Sequence, residues 1–275
     1  MLEPDFREPQ LQQTVNSAFF LWALEQGNGF VHPVVPSLLE EELLGWDSAF
    51  FFPWLVPSPN PQHHGCNFFL QYKISVVIEG HRGEQYSNWH QPYYRFQIPH
   101  TRKDGNRYVP DFHQLHALQA LARTRYEVYY ATNQITSRHD LFILAENRTL
   151  LDNTPFLSVA DVTIDHYYVT FTPSSHHFLL HSETEECRKQ SSEMVQSRLR
   201  QTEHRSLGED NDLTFEATLP FIKDMRGTET FIRHYMSLNQ TVQQDDEPYV
   251  RIKQWFMLRA GLHRFLNINM MRVGQ

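Results

Sequence analysis

In the segment FFLQYKIS an amide and an ammonium, Gln71 and Lys73, stand two residues apart in a run otherwise apolar enough to be a core strand. Side chains alternate across a strand, so Phe69, Gln71, Lys73 and Ser75 share one face while Leu70, Tyr72 and Ile74 take the other. The pattern predicts one core-forming face and one that presents Gln71 and Lys73. Such groups are costly to bury unless they serve one another or an ion. Asp47, at the mouth of the preceding apolar run GWDSAFFF, brings a carboxylate near both if its strand is the neighbour. A hard cation takes carboxylate, amide and main-chain carbonyl oxygens and commonly keeps phosphate oxygens as partners. Asp47, the Gln71 side chain and the Tyr72 main-chain carbonyl would then hold Mg²⁺ or Mn²⁺. Lys73 would activate the attacking water or stabilise charge on a phosphate. That division of labour is metal-assisted hydrolysis of a phosphodiester.

The elements that must position these groups can be read from periodicity. EPQLQQTVNSAFFLWALEQGNG is predicted helical: Pro9 suits the first turn, Leu11, Val15, Ala18, Phe19 and Trp22 recur at helical spacing, and Gly27 ends it. FVHPVVP reads as a short or edge strand. SLLEEELLG reads as a helical turn or two with Ser37 as N-cap, Glu40 as its capping-box partner and Gly45 as stop. DSAFFF, NFFLQYKISVVI and YYRFQIP read as strands. Asp111 caps a helix over FHQLHALQALARTRY, which runs into the strand EVYYAT, and DHYYVTFTP with HHFLLHS suggests a hairpin. The order is α/β, with helices packed on a mixed sheet.

A helix acid, then GWD, then a hydrophobic strand carrying QYK resembles the PD-(D/E)XK nuclease superfamily, in a variant with QxK. More narrowly, EEELLGWD…FFLQYK…PYYRF…VYYAT is similar to uncharacterised bacterial proteins with a GWD…FLQxK pattern. The resemblance covers roughly the first half of the chain. It implies a restriction-endonuclease-like αβββαβ core and cleavage of DNA, with RNA as a second candidate, in anti-phage defence or DNA processing. By that resemblance Asp47 is the metal-binding aspartate, Gln71 takes the second acidic position and Lys73 is the lysine. The helix glutamate falls on Glu41, Glu40 or Glu8; Glu41 is favoured because Glu40 has a competing task in the cap. Gln71 in place of an acid removes one negative charge and should weaken metal affinity. Catalysis can also be lost from such folds, leaving a scaffold or sensor that binds a partner protein or nucleic acid. An enzyme silent until it assembles into an oligomer is a third reading.

The other chemistry-bearing residues have simpler explanations. Arg95 in YYRF could clamp a phosphate bidentately or pack its cation on neighbouring tyrosines. His63, His64 and Cys66 in HHGC lack the second ligand pair that a closed zinc site needs. His113 and His116 in HQLH read as helix-surface histidines, and HHFLLH as a strand with exposed histidine faces.

Formal charge is −8 over 275 residues, which argues against bulk electrostatic attraction to DNA. Its distribution is uneven: up to Tyr94 the basic residues are Arg7, Lys73 and Arg82, outnumbered by acids. From Tyr249 onward Arg251, Lys253, Arg259, Arg264 and Arg272 meet no acid. Docking of this basic end onto the acidic N-terminal part is preferred slightly over contact with DNA. Two cysteines give no disulfide framework, and no apolar run is long enough for a membrane span, so a cytoplasmic setting is expected. The division expected is 1–181 as core, 182–212 as polar linker or solvated helix, and 213–275 as a helical region.

Overall fold

A computed structural model describes residues 1–25, 30–34, 49–54, 64–81, 83–105, 107–245 and 248–274. The chain is α/β, with one mixed sheet, antiparallel sheets and helices. It divides into two compact units built from interleaved stretches: residues 1–18, 71–116 and 128–198 form the first, and 19–70, 117–127 and 199–275 the second.

The predicted first helix is present as α1 (Glu8–Glu25), followed by β1 (Phe30–Val34), β2 (Ala49–Trp54) and β3 (Gly65–Lys73). The run NFFLQYKISVVI is not one strand. It breaks at Ile74–Ser75, and Val76–Ile78 forms a separate β4. Asn133 holds the break: its Oδ1 accepts the Ser75 amide at 2.8 Å and its Nδ2 donates to the Ser75 carbonyl at 3.0 Å.

In the first unit β4, β5 (Tyr93–Gln97), β10 (Tyr168–Phe171), β11 (His177–His181) and β12 (Glu185–Arg188) form an antiparallel sheet in the order β12-β11-β10-β5-β4. The β10–β11 hairpin predicted from DHYYVTFTP and HHFLLHS pairs Tyr168 with His181 and Thr170 with Leu179. A two-stranded ribbon, β6 (His100–Asp104) with β7 (Arg107–Asp111), leads into α3 (His113–Arg123). A short α2 (Tyr86–Trp89) precedes β5. Asp111 does cap α3, accepting the His113 amide at 3.0 Å. The last residues of β3 lie beside β8 (Glu127–Thr132), which pairs with β9 (Phe156–Ser158); α4 (Arg138–Glu146) connects the two.

The second unit contains α6 (Leu207–Lys223), α7 (Glu229–Asp245), α8 (Pro248–Leu266) and β13 (Asn269–Gly274). In α8 the apolar residues Trp255, Leu258 and Leu262 are buried. Strand order here is β1-β2-β13-β3, with β2–β13 parallel and the other pairs antiparallel.

This order corrects the sequence reading. The strand that follows Asp47 is not the hydrogen-bonded neighbour of β3, because β13 lies between β2 and β3 and pairs Asn269–Gly274 against Gly65–Leu70. At about 4.8 Å per strand, β2 and β3 stand roughly 10 Å apart. The 213–275 region is therefore not purely helical, since it ends in a strand of the mixed sheet. Nor are residues 182–212 a linker. They hold β12, α5 (Ser192–Gln201) and the start of α6, and they bury Val195, Leu199, Leu207 and Asp210. The solvated-helix alternative holds in part, since α5 is a helix whose buried Val195 and Leu199 fall at helical spacing.

A candidate acid–base site around Lys73

Every residue of β3 is buried, so both faces of the strand are covered rather than one. Gln71 is 0 % exposed and Lys73 5 %. Three neighbouring groups surround the Lys73 ammonium within the first unit. Nζ donates to the Ile98 carbonyl, just past β5, at 3.0 Å, and to Gln114 Oε1 on α3 at 3.2 Å. His100 Nε2, at the base of the β6–β7 ribbon, is 3.5 Å from Nζ and 2.9 Å from the same Gln114 Oε1. An amide oxygen only accepts, so His100 Nε2 carries its proton toward Gln114. The Tyr130 ring lies 6.0 Å from Nζ, close enough for a weak cation–π contribution.

Burial disfavours a charged amine, and it lowers Lys73 from the ordinary 10.5 to about 8. The Glu8 carboxylate, in the first turn of α1, opposes that shift. His100 is pushed down as well, by burial first and then by the Lys73 charge, with Gln114 and Glu8 acting the other way. Of the three helix glutamates weighed from the sequence, Glu8 is thus one whose field reaches this cluster. Glu40 and Glu41 lie outside the described residues, as does Asp47.

Gln71 shares the Lys73 face of β3. Its Nε2 donates at 3.0 Å to the Tyr72 carbonyl, one of the oxygens proposed from sequence as a metal ligand. Its Oε1 is buried with no partner among the described residues. The Tyr72 hydroxyl is engaged elsewhere, donating to Asn16 at 2.6 Å. Behind the site, Thr132 Oγ1 donates to the Lys73 carbonyl at 2.8 Å and takes the Ser75 hydroxyl proton at 2.6 Å. A satisfied polar network of this kind fixes the backbone that carries Lys73.

Arg95 follows the simpler of its two readings, with its guanidinium 4.9 Å from the Tyr168 ring. That tyrosine comes from β10, across the sheet, rather than from the adjacent YY. The HHFLLH histidines are not simply exposed: His181 is buried and shares a 2.8 Å hydrogen bond with Thr170 Oγ1. His116 pairs with Asp165 at 3.0 Å on the surface. Cys66 is buried, its thiol raised to about 12 chiefly by burial, which leaves it inert. Among the described residues no group of three or more His, Cys, Asp or Glu side chains gathers as a metal centre. No helix among them is long and apolar enough to cross a membrane.

The basic C-terminal residues do not wait for an outside partner. In the second unit Arg272 is buried against Asp210, and Arg251 lies 3.5 Å from Asp212. Both acids belong to α6, not to the acidic N-terminal part that the charge distribution suggested.

Comparison with protein-family models, with curated proteins and with solved structures returns no match. The site must be understood from its own chemistry. Sequence reading found Gln71 and Lys73 but not His100 or Gln114, which reach Nζ from 27 and 41 residues away. The available signal was slight, Gln114 at the start of a helix and His100 just after the strand YYRFQIP, neither with a fixed spacing to Lys73.

Proposed function

We propose that the chain is a metal-dependent nuclease of restriction-endonuclease-like type, hydrolysing phosphodiesters of DNA, with Lys73 as its proton-carrying group. The observation that supports this is the Lys73 environment. A buried lysine with a pKa near 8 gains and loses a proton close to neutral pH, as a general base or acid must. Glu8 and burial act on it in opposite directions and set that balance.

The donor set suits a hard divalent ion in part. Gln71 Oε1 is an oxygen withdrawn from water with no partner among the described residues, which leaves its lone pairs for a ligand. The Tyr72 carbonyl keeps a second lone pair beyond the one given to Gln71. A bound Mg²⁺ or Mn²⁺ would polarise a phosphoryl oxygen and offset charge developing there. Lys73 would take the proton of the attacking water, with Gln114 and Ile98 holding its amine in place. His100, which keeps an exposed edge, donates to the same Gln114 oxygen and so helps to hold the acceptor that positions the amine.

The test is cleavage of plasmid DNA and of RNA by the purified chain with Mg²⁺ or Mn²⁺, beside Lys73→Met. Cleavage by the wild type and its loss in a folded variant are the expected results. Equal behaviour of the two proteins overturns the reading. The same hydrogen bonds favour one other role, a lysine that merely ties β3 to the end of β5 and to α3 within a non-catalytic binding module. In that case Lys73→Met changes stability alone.

A further inference from the structure

Away from Lys73, the first unit brings together a serine, a histidine and a glutamate in the order that nucleophilic catalysis requires. His166 precedes β10 and is fully buried. Its Nε2 lies 3.1 Å from Glu185 Oε2 at the start of β12. Its Nδ1 lies 3.4 Å from the hydroxyl of Ser182, the first residue after β11. An ionised carboxylate only accepts, so the neutral imidazole carries its proton on Nε2 and turns the Nδ1 lone pair toward the serine. The base is thereby oriented by the acid and aimed at the nucleophile. Ser182 is exposed, so an outside molecule can reach its oxygen while the base stays shielded from water.

The frame around the three is rigid. Tyr167 donates its amide to the His181 carbonyl at 2.9 Å, fixing the residue after His166 against the residue before Ser182. The β11–β12 pairing sets Leu180 opposite Glu185, so the loop that carries Ser182 is a tight hairpin connection. The other histidine nearby, His181, is pushed down to about 4, chiefly by burial with His166 adding to the effect, and it is engaged in a hydrogen bond with Thr170.

We infer that Ser182, His166 and Glu185 form a second site, a serine nucleophile for hydrolysis of carboxylic esters. Ser182 Oγ attacks the ester carbonyl carbon while its proton passes to His166 Nδ1. The tetrahedral adduct collapses, the C–O bond to the leaving group breaks, and the departing alkoxide takes that proton from Nδ1. Water then attacks the acyl-serine with His166 as base, releasing the acid and restoring the hydroxyl. Glu185 touches neither substrate nor leaving group; it is a positioning residue that holds the imidazole and balances its charge. Glu183 and Glu186 flank the site in the chain, so neutral or cationic esters are favoured over anionic ones. This site stands independently of the phosphodiester reading.

The test uses the full chain with a fluorophosphonate probe and with p-nitrophenyl acetate. Expected are covalent labelling of the peptide that contains Ser182 and its loss in Ser182→Ala, whose exposed position leaves the circular dichroism spectrum unchanged. Glu185→Gln slows labelling on the order of 10-fold or more, and Glu185→Asp recovers part of the rate. No labelling of the wild type, labelling that persists in Ser182→Ala, or an unchanged rate in Glu185→Gln would each overturn the proposal.

Discussion

Arg272 and Asp210 form an ion pair inside the second unit with both side chains removed from water. The pair is not alone. Asp210 also accepts from the Tyr126 hydroxyl at 3.0 Å and from the Asn67 amide at 3.2 Å, while Arg272 donates to the Arg205 carbonyl at 2.8 Å. Asn67 Oδ1, 3.4 Å from Arg272, takes the indole N–H of Trp255 at 2.8 Å. Burial pushes the Asp210 carboxyl up, and Arg272 holds it back. Removing one partner leaves the other charge buried without compensation, which costs about 3–5 kcal/mol. Arg272→Met is therefore expected to lower the urea midpoint sharply, whereas the surface change Arg264→Met shifts it little.

Lys73 gives a stability prediction with a definite sign. Its folded pKa, about 8, lies below the ordinary 10.5, so between those values the unfolded chain holds a proton that the folded chain has released. Unfolding free energy then rises with pH across that window, by roughly 3 kcal/mol at most, and the full penalty of the buried charge applies below it. Lys73→Met removes this dependence. Urea unfolding of both proteins from pH about 8 to about 10.5 measures the difference. Parallel curves would show that Lys73 does not carry it.

The same ionisation predicts the shape of the cleavage profile. If neutral Lys73 takes the proton of water, kcat/KM rises with pH through about 8 and levels above it. Glu8→Gln removes the carboxylate that favours the charged amine, so the midpoint moves to lower pH. Rates measured across pH with each protein check both statements.

Helix α6 begins at a capping box. Ser206 Oγ accepts the Glu209 amide at 3.3 Å, and the Glu209 carboxylate accepts the Ser206 amide at 2.9 Å. Ser206→Ala is expected to cost about 1 kcal/mol. The Glu209 carboxyl is held below its ordinary 4.5 first by the Ser206 hydroxyl, which donates to it at 2.8 Å, and then by the Ser206 amide, so its contribution is present above that value and is lost as pH falls through the folded pKa. Thermal unfolding of both proteins at neutral and acid pH would show the gap narrowing in acid.

Gly261 on α8 lies against Phe231 of α7. A Cβ there would sit 2.4 Å from the Phe231 ring, which is itself buried. At that distance something must shift against a buried ring, so Gly261→Ala is expected to destabilise by about 1–3 kcal/mol through overpacking. Combining it with Phe231→Leu should recover part of the loss, a double-mutant cycle that tests the contact directly.

What the amino-acid sequence determined by itself was local. The periods of α1 and α3, the Asp111 cap and the β10–β11 hairpin all appear where the residues place them, since each depends on neighbours within a turn or a short connection. Gln71 and Lys73 were legible because two polar groups interrupt an apolar strand. Only the tertiary structure decided that β13 enters between β2 and β3, bringing Arg272 to Asn67 across 205 residues. The same holds for His100 and Gln114 beside Lys73, and for His166 between Ser182 and Glu185. The physical reason is that strand order and the burial of polar groups depend on which distant surfaces exclude water together, a property of the packed chain that no short window of sequence contains.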